Sequence, residues 1–237
     1  MRLAIIGHSA MGRLVEARAL ADGHEIGLVV TSGDAGRGPA ELSELLRGHD
    51  AAIDFSVASA VPRNVEACAR ARVALVEGVT GWHARLEDAR RAVAAHDASL
   101  VHGANFSVGV NLFYRIVSRA AELLAAVEGY EAFIEEAHHS RKRDAPSGTA
   151  LELRTILRET MRGGREVSVA STRAGHIPGT HRVGFDSAAD QITLTHAART
   201  REGFAAGALL AARWIQGRRG VYEFSEVMDE ILKTSDG

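Results

Sequence analysis

Residues 135–150 read EEAHHSRKRDAPSGTA, and this stretch concentrates the side chains able to do chemistry. His138 and His139 are adjacent, Lys142 and Asp144 follow in a basic turn, and Pro146 breaks the chain before Ser147, Gly148 and Thr149. A histidine at the end of a strand gives or takes a proton near neutral pH. Neighbours in an extended chain point to opposite sides, so His138 and His139 cannot share one task unless the chain turns between them. Lys142 offers a cation to an anionic substrate or a proton to a developing anion, and Asp144 can orient a basic neighbour. Ser147, Gly148 and Thr149 open a helix whose free N–H groups can hold a carboxylate. The set suits a small acid whose reaction also transfers a proton. Plainer readings stand beside it: a helix cap with no ligand, a solvated run at Arg141, Lys142 and Arg143, or a metal held by the paired histidines. For the last, no second cluster of His, Asp or Glu has a convincing spacing, and no metal is expected.

A second candidate lies at the front of the chain. Gly7, His8, Ser9, Ala10, Met11 and Gly12 sit between the first apolar run and the first helical pattern. A dinucleotide-binding fold places its pyrophosphate there, where glycines let the backbone approach and a helix N-terminus supplies N–H groups and partial positive charge. The pattern departs from G-x-G-x-x-G, with Ser9 and Ala10 where glycines might be expected, so a tight turn without a ligand is the alternative. The second strand ends at Val30, Thr31 and Ser32 with no carboxylate at its tip, and Asp34 and Arg37 come just after. An acid at the tip would bond the ribose hydroxyls and favour NAD. A hydroxyl-rich tip beside an arginine tolerates a 2′-phosphate and leans towards NADPH, or towards use of both cofactors.

These residues need a scaffold, and the apolar pattern describes one. Short unbroken apolar runs at 3–6, 26–30, 51–55, 74–76 and 99–101 alternate with helical patterns at 11–21, 41–46, 58–71 and 82–96. Met11, Leu14, Val15 and Leu20 fall near one face of the first helix. Such strands separated by helices predict a parallel sheet covered on both faces, doubly wound and Rossmann-like. After Asn105 the rhythm changes. A helix is expected over 108–127, with Leu112, Ile116, Leu123 and Leu124 in register, then a strand over 130–137 that ends at the histidines. A helix over 148–161, strands over 167–173, 182–185 and 191–197, and an Ala-rich helix over 204–215 complete the pattern. The polar–apolar alternation of 191–196 predicts an antiparallel strand with one buried face. The fold class is therefore α/β, with a second, α+β domain built on an open mixed sheet.

Composition narrows the function classes. The 237 residues suffice for one large domain or two small ones, and 46% hydrophobic residues suffice for a core. With 28 basic against 30 acidic residues, nothing points to nucleic acid or an anionic membrane as the main partner. Cys68 is the single cysteine, which rules out an internal disulfide framework and cysteine zinc sites and fits a reducing cytosol. No apolar run reaches the ~18 residues that span a bilayer, and the opening run is too short for a signal peptide. A cytoplasmic protein is expected.

The stretch EAHHSRKRDAPSGTA closely resembles the signature of the 4-hydroxy-tetrahydrodipicolinate reductase family, the dihydrodipicolinate reductases of the diaminopimelate route to lysine. AIDFS at 52–56, GVTGW at 78–82, GANFSVGVN at 103–111 and RAGHIPGTHRVGF at 173–185 resemble its cofactor-side segments, its hinge and its substrate domain. The resemblance implies roles: His138 as the acid–base group, Lys142 as proton donor, and His139, Ser147, Gly148 and Thr149 as binders of the substrate carboxylates. It implies Gly7, His8, Ser9, Ala10, Met11 and Gly12 at the pyrophosphate, and Gly78, Val79, Thr80, Ala104, Asn105 and Phe106 on the nicotinamide side. Val79 stands where the family more often has threonine, so any contact needing that hydroxyl is lost. NADPH and/or NADH would reduce a cyclic imine dicarboxylate. The family pattern also implies a dinucleotide-binding domain over 1–107 joined by a return at 217–237, a substrate-binding and tetramerisation domain over 108–216, and a homotetramer. Two rivals are another small-acid dehydrogenase, similar to aspartate dehydrogenase, and a non-catalytic dinucleotide sensor. The signature argues against the first, and a sensor has no need of the His-His-x-x-Lys set.

Overall fold

A computed structural model describes residues 1–161 and 166–233. The chain forms two compact units, Met1–Val108 with Glu202–Gly237, and Gly109–Arg201.

In the first unit, β1 (Arg2–Ile6), β2 (Glu25–Val30), β3 (Ala51–Asp54), β4 (Ala74–Glu77) and β5 (Ser99–His102) alternate with helices. The helices are α1 (Ala10–Ala21), α2 (Pro39–Leu46), α3 (Val61–Ala71) and α4 (Leu86–Ala95). A sixth strand, β10 (Gly220–Glu223), comes from the carboxyl end and pairs with β5, giving the order β10-β5-β4-β3-β1-β2 with every pairing parallel. β3, β4 and β5 are buried at every residue, which is why they read as unbroken apolar runs without alternation. Crossovers leave β1 in opposite directions, to β2 on one side and β3 on the other. The carboxyl ends of β1 and β3 thus frame the crevice in which such folds bind ligands.

Several boundaries shift for local reasons. α3 starts at Val61 rather than 58, with Pro62 in its first turn, where a missing N–H breaks no helical bond. The helix expected over 82–96 is a short 3₁₀ turn at His83–Arg85 followed by α4. On α1 the buried positions are Gly12, Val15 and Ala19, and Leu20, expected on the inner face, is 55% exposed.

The carboxyl end joins the first unit earlier than residue 217. α7 (Glu202–Trp214), read in the sequence as part of the second domain, packs here through Ala205, Ala208, Leu209 and Ala212. Its small residues admit a close approach: a Cβ on Gly207 would lie 1.7 Å from the carbonyl oxygen of Phe106. Helical periodicity states which face is apolar and not which sheet that face will cover. β10 and α8 (Phe224–Lys233) complete the return, and residues 234–237 of the expected segment lie outside the described residues.

In the second unit, α5 (Val108–Ala125), β6 (Glu131–His138), α6 (Gly148–Thr160), β7 (Ser168–Arg173), β8 (Thr180–Asp186) and β9 (Gln191–Ala197) follow one another. The sheet order is β7-β6-β8-β9, with β6 parallel to β7 and antiparallel to β8, and β9 antiparallel to β8. Phe113, Val117 and Ala121 of α5 and Leu153 and Leu157 of α6 pack on Ile134, Val183 and Phe185 of the sheet. This register differs from the expected one, since Ile116 and Leu123 are 54% and 58% exposed. Ile192 is 41% exposed despite its place in the alternating pattern, because β9 is an edge strand with a neighbour on one side only.

If α7 is seated on the Phe106 backbone as described, Gly207→Ala should lower the free energy of unfolding by ~1–3 kcal/mol, the range for overpacking a filled contact. Urea denaturation measures this, and an unchanged midpoint would contradict the placement of α7.

Candidate functional site

β6 delivers Glu136 and His138 to the same face, because residues two apart on a strand point the same way. Both are buried, with Glu136 3% and His138 8% exposed. The Glu136 carboxylate accepts from His138 Nδ1 through one oxygen, and through the other from Arg173 Nη2 of β7 at 2.7 Å. Burial alone would raise the Glu136 pKa, but hydrogen bonds from Arg173, Ser171 and His138 outweigh it and hold the group at about 2. Burial draws the His138 pKa below its ordinary value, and the charges of Lys142 and Arg173 add to this against the pull of Glu136. The imidazole is therefore neutral at neutral pH. With Nδ1–H committed to the carboxylate, Nε2 carries the lone pair, and it has no hydrogen-bond partner among the described residues. A Cβ on Gly179 would lie 3.1 Å from Nε2, so the glycine leaves that nitrogen room.

The loop after β6 brings the rest. His139 is half-buried, and its carbonyl accepts from Lys142 N at 3.1 Å, which turns the chain between the histidine pair and the lysine. Lys142 Nζ bonds Asp144 Oδ1 at 2.9 Å, and Arg173 Nη2 also holds the Asp144 carbonyl at 2.6 Å. Ser147 caps α6, accepting from Ala150 N at 3.3 Å, and lies 3.1 Å from Nε2 of His181 on β8. The rings of His138 and His181 meet edge to face with centroids 5.1 Å apart. Burial, then the nearby His138, pulls the His181 pKa down to about 4, so this ring too is neutral. Gly148, at the first position of α6, is exposed, and a Cβ there would meet nothing within 4 Å. The fold itself does not require glycine at that place. The Tyr114 hydroxyl of α5, bonded to Thr149, is pushed up to about 12, chiefly by burial.

Glu136, His138 and His181 could also face a metal ion, their ligand atoms all lying within 4.8 Å of one another. The carboxylate oxygens, however, are already taken by Arg173 and His138, and the guanidinium fills the cation's place. We assign no metal to it.

In the first unit the glycine turn closes tightly. Gly7 has φ +85°, and a Cβ on it would lie 2.6 Å from the Ser56 backbone at the end of β3. A Cβ on Gly12 would lie 1.9 Å from the Gly7 carbonyl oxygen, so both glycines are obligatory for this turn. Ser9 stands at the cap position of α1 without a side-chain bond to the helix, and the amides around Ala10 and Met11 keep their capacity for an anion. His8 bonds Glu16 at 2.6 Å, which turns its ring to α1. At the tip of β2, Asp34 is spent locally: it accepts from Thr31 N at 3.0 Å and Arg37 Nε at 2.9 Å, and its pKa is lowered by those bonds. Arg63 of α3 reaches the same turn and donates to the carbonyls of Asp34 and Ala35.

Of the nicotinamide-side residues, Gly78 lies under Phe55, whose ring a Cβ would meet at 2.2 Å. Val79 N donates to Glu77 at 2.9 Å, and Thr80 is exposed. Ala104 is exposed, and Asn105 accepts from Ser107 N at 2.9 Å. The Phe106 ring is buried against Phe224, with centroids 4.6 Å apart, and its carbonyl lies under Gly207, so its backbone N–H is what it can offer a ligand.

Sequence reasoning passed over Glu136, Arg173, His181 and Arg63. Glu136 carried a readable signal, two residues before His138 on a strand. The other three reach the site only through sheet pairing or helix packing.

Comparison with known proteins agrees with this architecture. Residues 1–106 match the family model described as dihydrodipicolinate reductase, N-terminus, and residues 109–228 the model described as dihydrodipicolinate reductase, C-terminus. The chain is 39% identical to the 4-hydroxy-tetrahydrodipicolinate reductase of Stenotrophomonas maltophilia, with 95% of this chain and 98% of that protein covered. It is 31% identical to the protein of the same name from Christiangramia forsetii, over 98% of this chain and all of that one. Among solved structures, a dipicolinate-bound dihydrodipicolinate reductase from Paenisporosarcina shares the fold, with TM-score 0.77 at 19% identity over 96% of this chain and 99% of that one.

The ion pair at Glu136 makes a pH-dependent prediction. Its pKa of about 2 lies below the unfolded value of ~4.3, so its stabilisation is fully present above ~4.3 and is lost as pH falls towards 2. Arg173→Leu leaves the buried carboxylate without its cation, with only the neutral donors His138 and Ser171, and should cost ~3–5 kcal/mol at neutral pH. That cost should shrink as acid protonates Glu136, narrowing the gap to the wild type. Urea midpoints across the acid range measure it, and a pH-independent cost would show that Arg173 matters for packing alone.

Proposed function

The chain belongs to the dihydrodipicolinate reductase family, and from that premise we infer that it reduces 4-hydroxy-tetrahydrodipicolinate to tetrahydrodipicolinate with NADPH or NADH, releasing water. The observation that carries the assignment of roles is the end of β6. There a neutral His138, its Nδ1 fixed by Glu136 and its Nε2 unbonded, stands in one network with the loop of Lys142 and the opening of α6.

The bound nicotinamide supplies a hydride, and the chain's residues supply the rest. Lys142 faces an anionic ligand as the cation of the site and gives the proton that balances the hydride. Its partner Asp144 keeps the ammonium near the loop until a substrate carboxylate competes for it. His138 takes and returns a proton through Nε2, in the tautomer that Glu136 imposes. Gly148 and Thr149 offer backbone N–H groups to a carboxylate, favoured by the dipole of α6, and His139 and Ser147 complete that cradle. In the first unit Gly7, His8, Ser9, Ala10, Met11 and Gly12 hold the diphosphate. Gly78, Val79 and Thr80, with Ala104, Asn105 and Phe106, line the nicotinamide side. Asp34 is neutralised within its own turn and Arg63 and Arg37 lie beside it, which supports use of NADPH at least as well as NADH. Homotetramer assembly through the open face of the second sheet is part of the same proposal. So is a place in the cytoplasm, where the buried Cys68 stays a thiol.

Oxidation of NADPH and of NADH, followed with freshly generated substrate, tests the activity. Lys142→Ala should lower turnover by ~10²-fold or more, as expected for a lost proton donor. Near-normal turnover would remove Lys142 from the chemistry.

Gly148→Val separates a carboxylate site from a plain helix start. Because a Cβ there meets nothing, the variant should fold normally. Its affinity for pyridine-2,6-dicarboxylate, measured by calorimetry in the presence of NADPH, should fall by ~10-fold or more, the loss of roughly one charged hydrogen bond. Equal affinity in both proteins would place the carboxylates elsewhere.

A further inference from the structure

The carboxyl ends of β3 and β4 hold a second group of buried acids that the proposed chemistry does not use. Asp54 and Glu77 are paired in register on neighbouring parallel strands, and both are 0% exposed. Their surroundings differ. Asp54 accepts from Ser56 N at 2.7 Å and Asn64 Nδ2 at 2.6 Å, so both its oxygens face donors. Glu77 accepts from Val79 N at 2.9 Å through Oε1, while Oε2 is buried and has no donor. The two acids are register partners on adjacent strands, and two adjacent buried carboxylates cannot both be ionised. The proton belongs on Glu77 Oε2, the one oxygen of the four without a donor among the described residues.

Each acid bonds the backbone N–H two residues on, and these amides begin the loops assigned above to the cofactor. Ser56 forms the wall against Gly7, and Val79 lies between Gly78 and Thr80. We propose that Glu77 is a positioning residue, kept as a neutral acid, that together with Asp54 fixes the Ser56 and Val79 loops for the dinucleotide. The proposal rests on the assignment of those loops to the cofactor.

Burial raises the pKa of Glu77, and the neighbouring Asp54 raises it further, in agreement with the geometry. The groups facing the pair do not supply a compensating charge. His102 on β5, paired with Glu77, has a pKa near 4 through burial and is neutral. From α3 come the Asn64 amide and Cys68, a thiol that burial keeps protonated. α7 packs on β3 and β4 with Ala205, Ala208 and Leu209 among its buried residues, and Ile6 of β1 pairs with Asp54. The sign follows. Because the folded pKa is raised, the contribution is complete below the ordinary carboxyl range and is lost as pH rises through the folded value. Ionisation of Glu77 then sets two buried carboxylates against each other and loosens both loops.

The test is the dissociation constant of NADPH, read from its fluorescence, between ~pH 6 and ~pH 10, a range that lies above ordinary carboxyls and brackets strongly raised ones. The wild type should bind about 10-fold more weakly at the alkaline end, one pKa unit's worth of interaction. Glu77→Gln keeps an acceptor for Val79 N without the ionisation, so it should bind NADPH at neutral pH and lack the alkaline loss. Glu77→Leu, which leaves Val79 N without its acceptor, should weaken binding about 10-fold at every pH, the loss of one hydrogen bond to a positioned loop. Should Glu77→Gln not fold, Asp54→Asn removes the opposing charge and should also abolish the alkaline loss. A wild type that binds equally at all pH values, an alkaline loss that survives in Glu77→Gln, or a Glu77→Leu that binds like the wild type overturns the proposal. A wild type that binds no NADPH at any pH overturns instead the cofactor assignment on which it rests.

Discussion

A carboxylate taken out of water must have its charge answered, and the second unit is arranged around that requirement at Glu136. The answer comes from two directions. Arg173 arrives from the end of β7, and His138 stands two residues along β6 itself. The consequences travel outward from this one charge. His138 is fixed in a single tautomer, and because Arg173 also holds the Asp144 carbonyl, the loop carrying Lys142 is tied to the same ion pair. A well-packed apolar pair could serve stability as well as a buried ion pair does. What the charged arrangement adds is orientation, and it adds it to His138 and to the loop of Lys142, the two residues proposed above for proton transfer.

The first unit meets the same constraint with other means. Asp54 and Glu77 lie at the ends of the innermost strands, where no arginine of the described residues bonds them. Donors from Ser56 and Asn64 satisfy one acid, and a proton satisfies the other. In both units, then, a buried acid bonds a group that lies two residues further along, as Glu136 bonds His138, Asp54 bonds Ser56 and Glu77 bonds Val79. Each is anchored below the surface by an element of the sheet, so that the loops above it inherit the sheet's rigidity.

Much of this was legible in the sequence. Apolar runs without alternation gave β3, β4 and β5 as covered strands, and the glycine turn was placed between β1 and α1. The stretch at 135–150 reads as one candidate site. Partners that come from far along the chain were not legible. Arg173 is 37 residues from Glu136, and His181 is 34 residues from Ser147, distances that only strand pairing closes. The placement of α7 failed for a related reason: its Ala-rich face fits any close-packed surface, and the choice was made by the Phe106 carbonyl under Gly207. Ile116 and Leu123 misled because apolar residues surround much of α5, and periodicity does not select between adjacent stripes.

The charge state of the site follows from these contacts and limits how it can recognise an acid. Imidazoles are often assumed to meet carboxylates as cations, yet burial keeps His181 near 4 and draws His138 below its ordinary value. Neither ring brings a positive charge to neutral solution. Arg173 is committed to Glu136. In the function proposed above, the attraction for a dicarboxylate therefore falls to Lys142 and to the partial charge at the start of α6, which lie on either side of Pro146. Neutral histidines have a different use. His138 can accept a proton at Nε2 only because it does not already carry one, and burial is what keeps it so. Burial against the sheet thus withholds charge from both imidazoles and, in the function proposed above, leaves the Lys142 ammonium as the group that an anionic substrate meets.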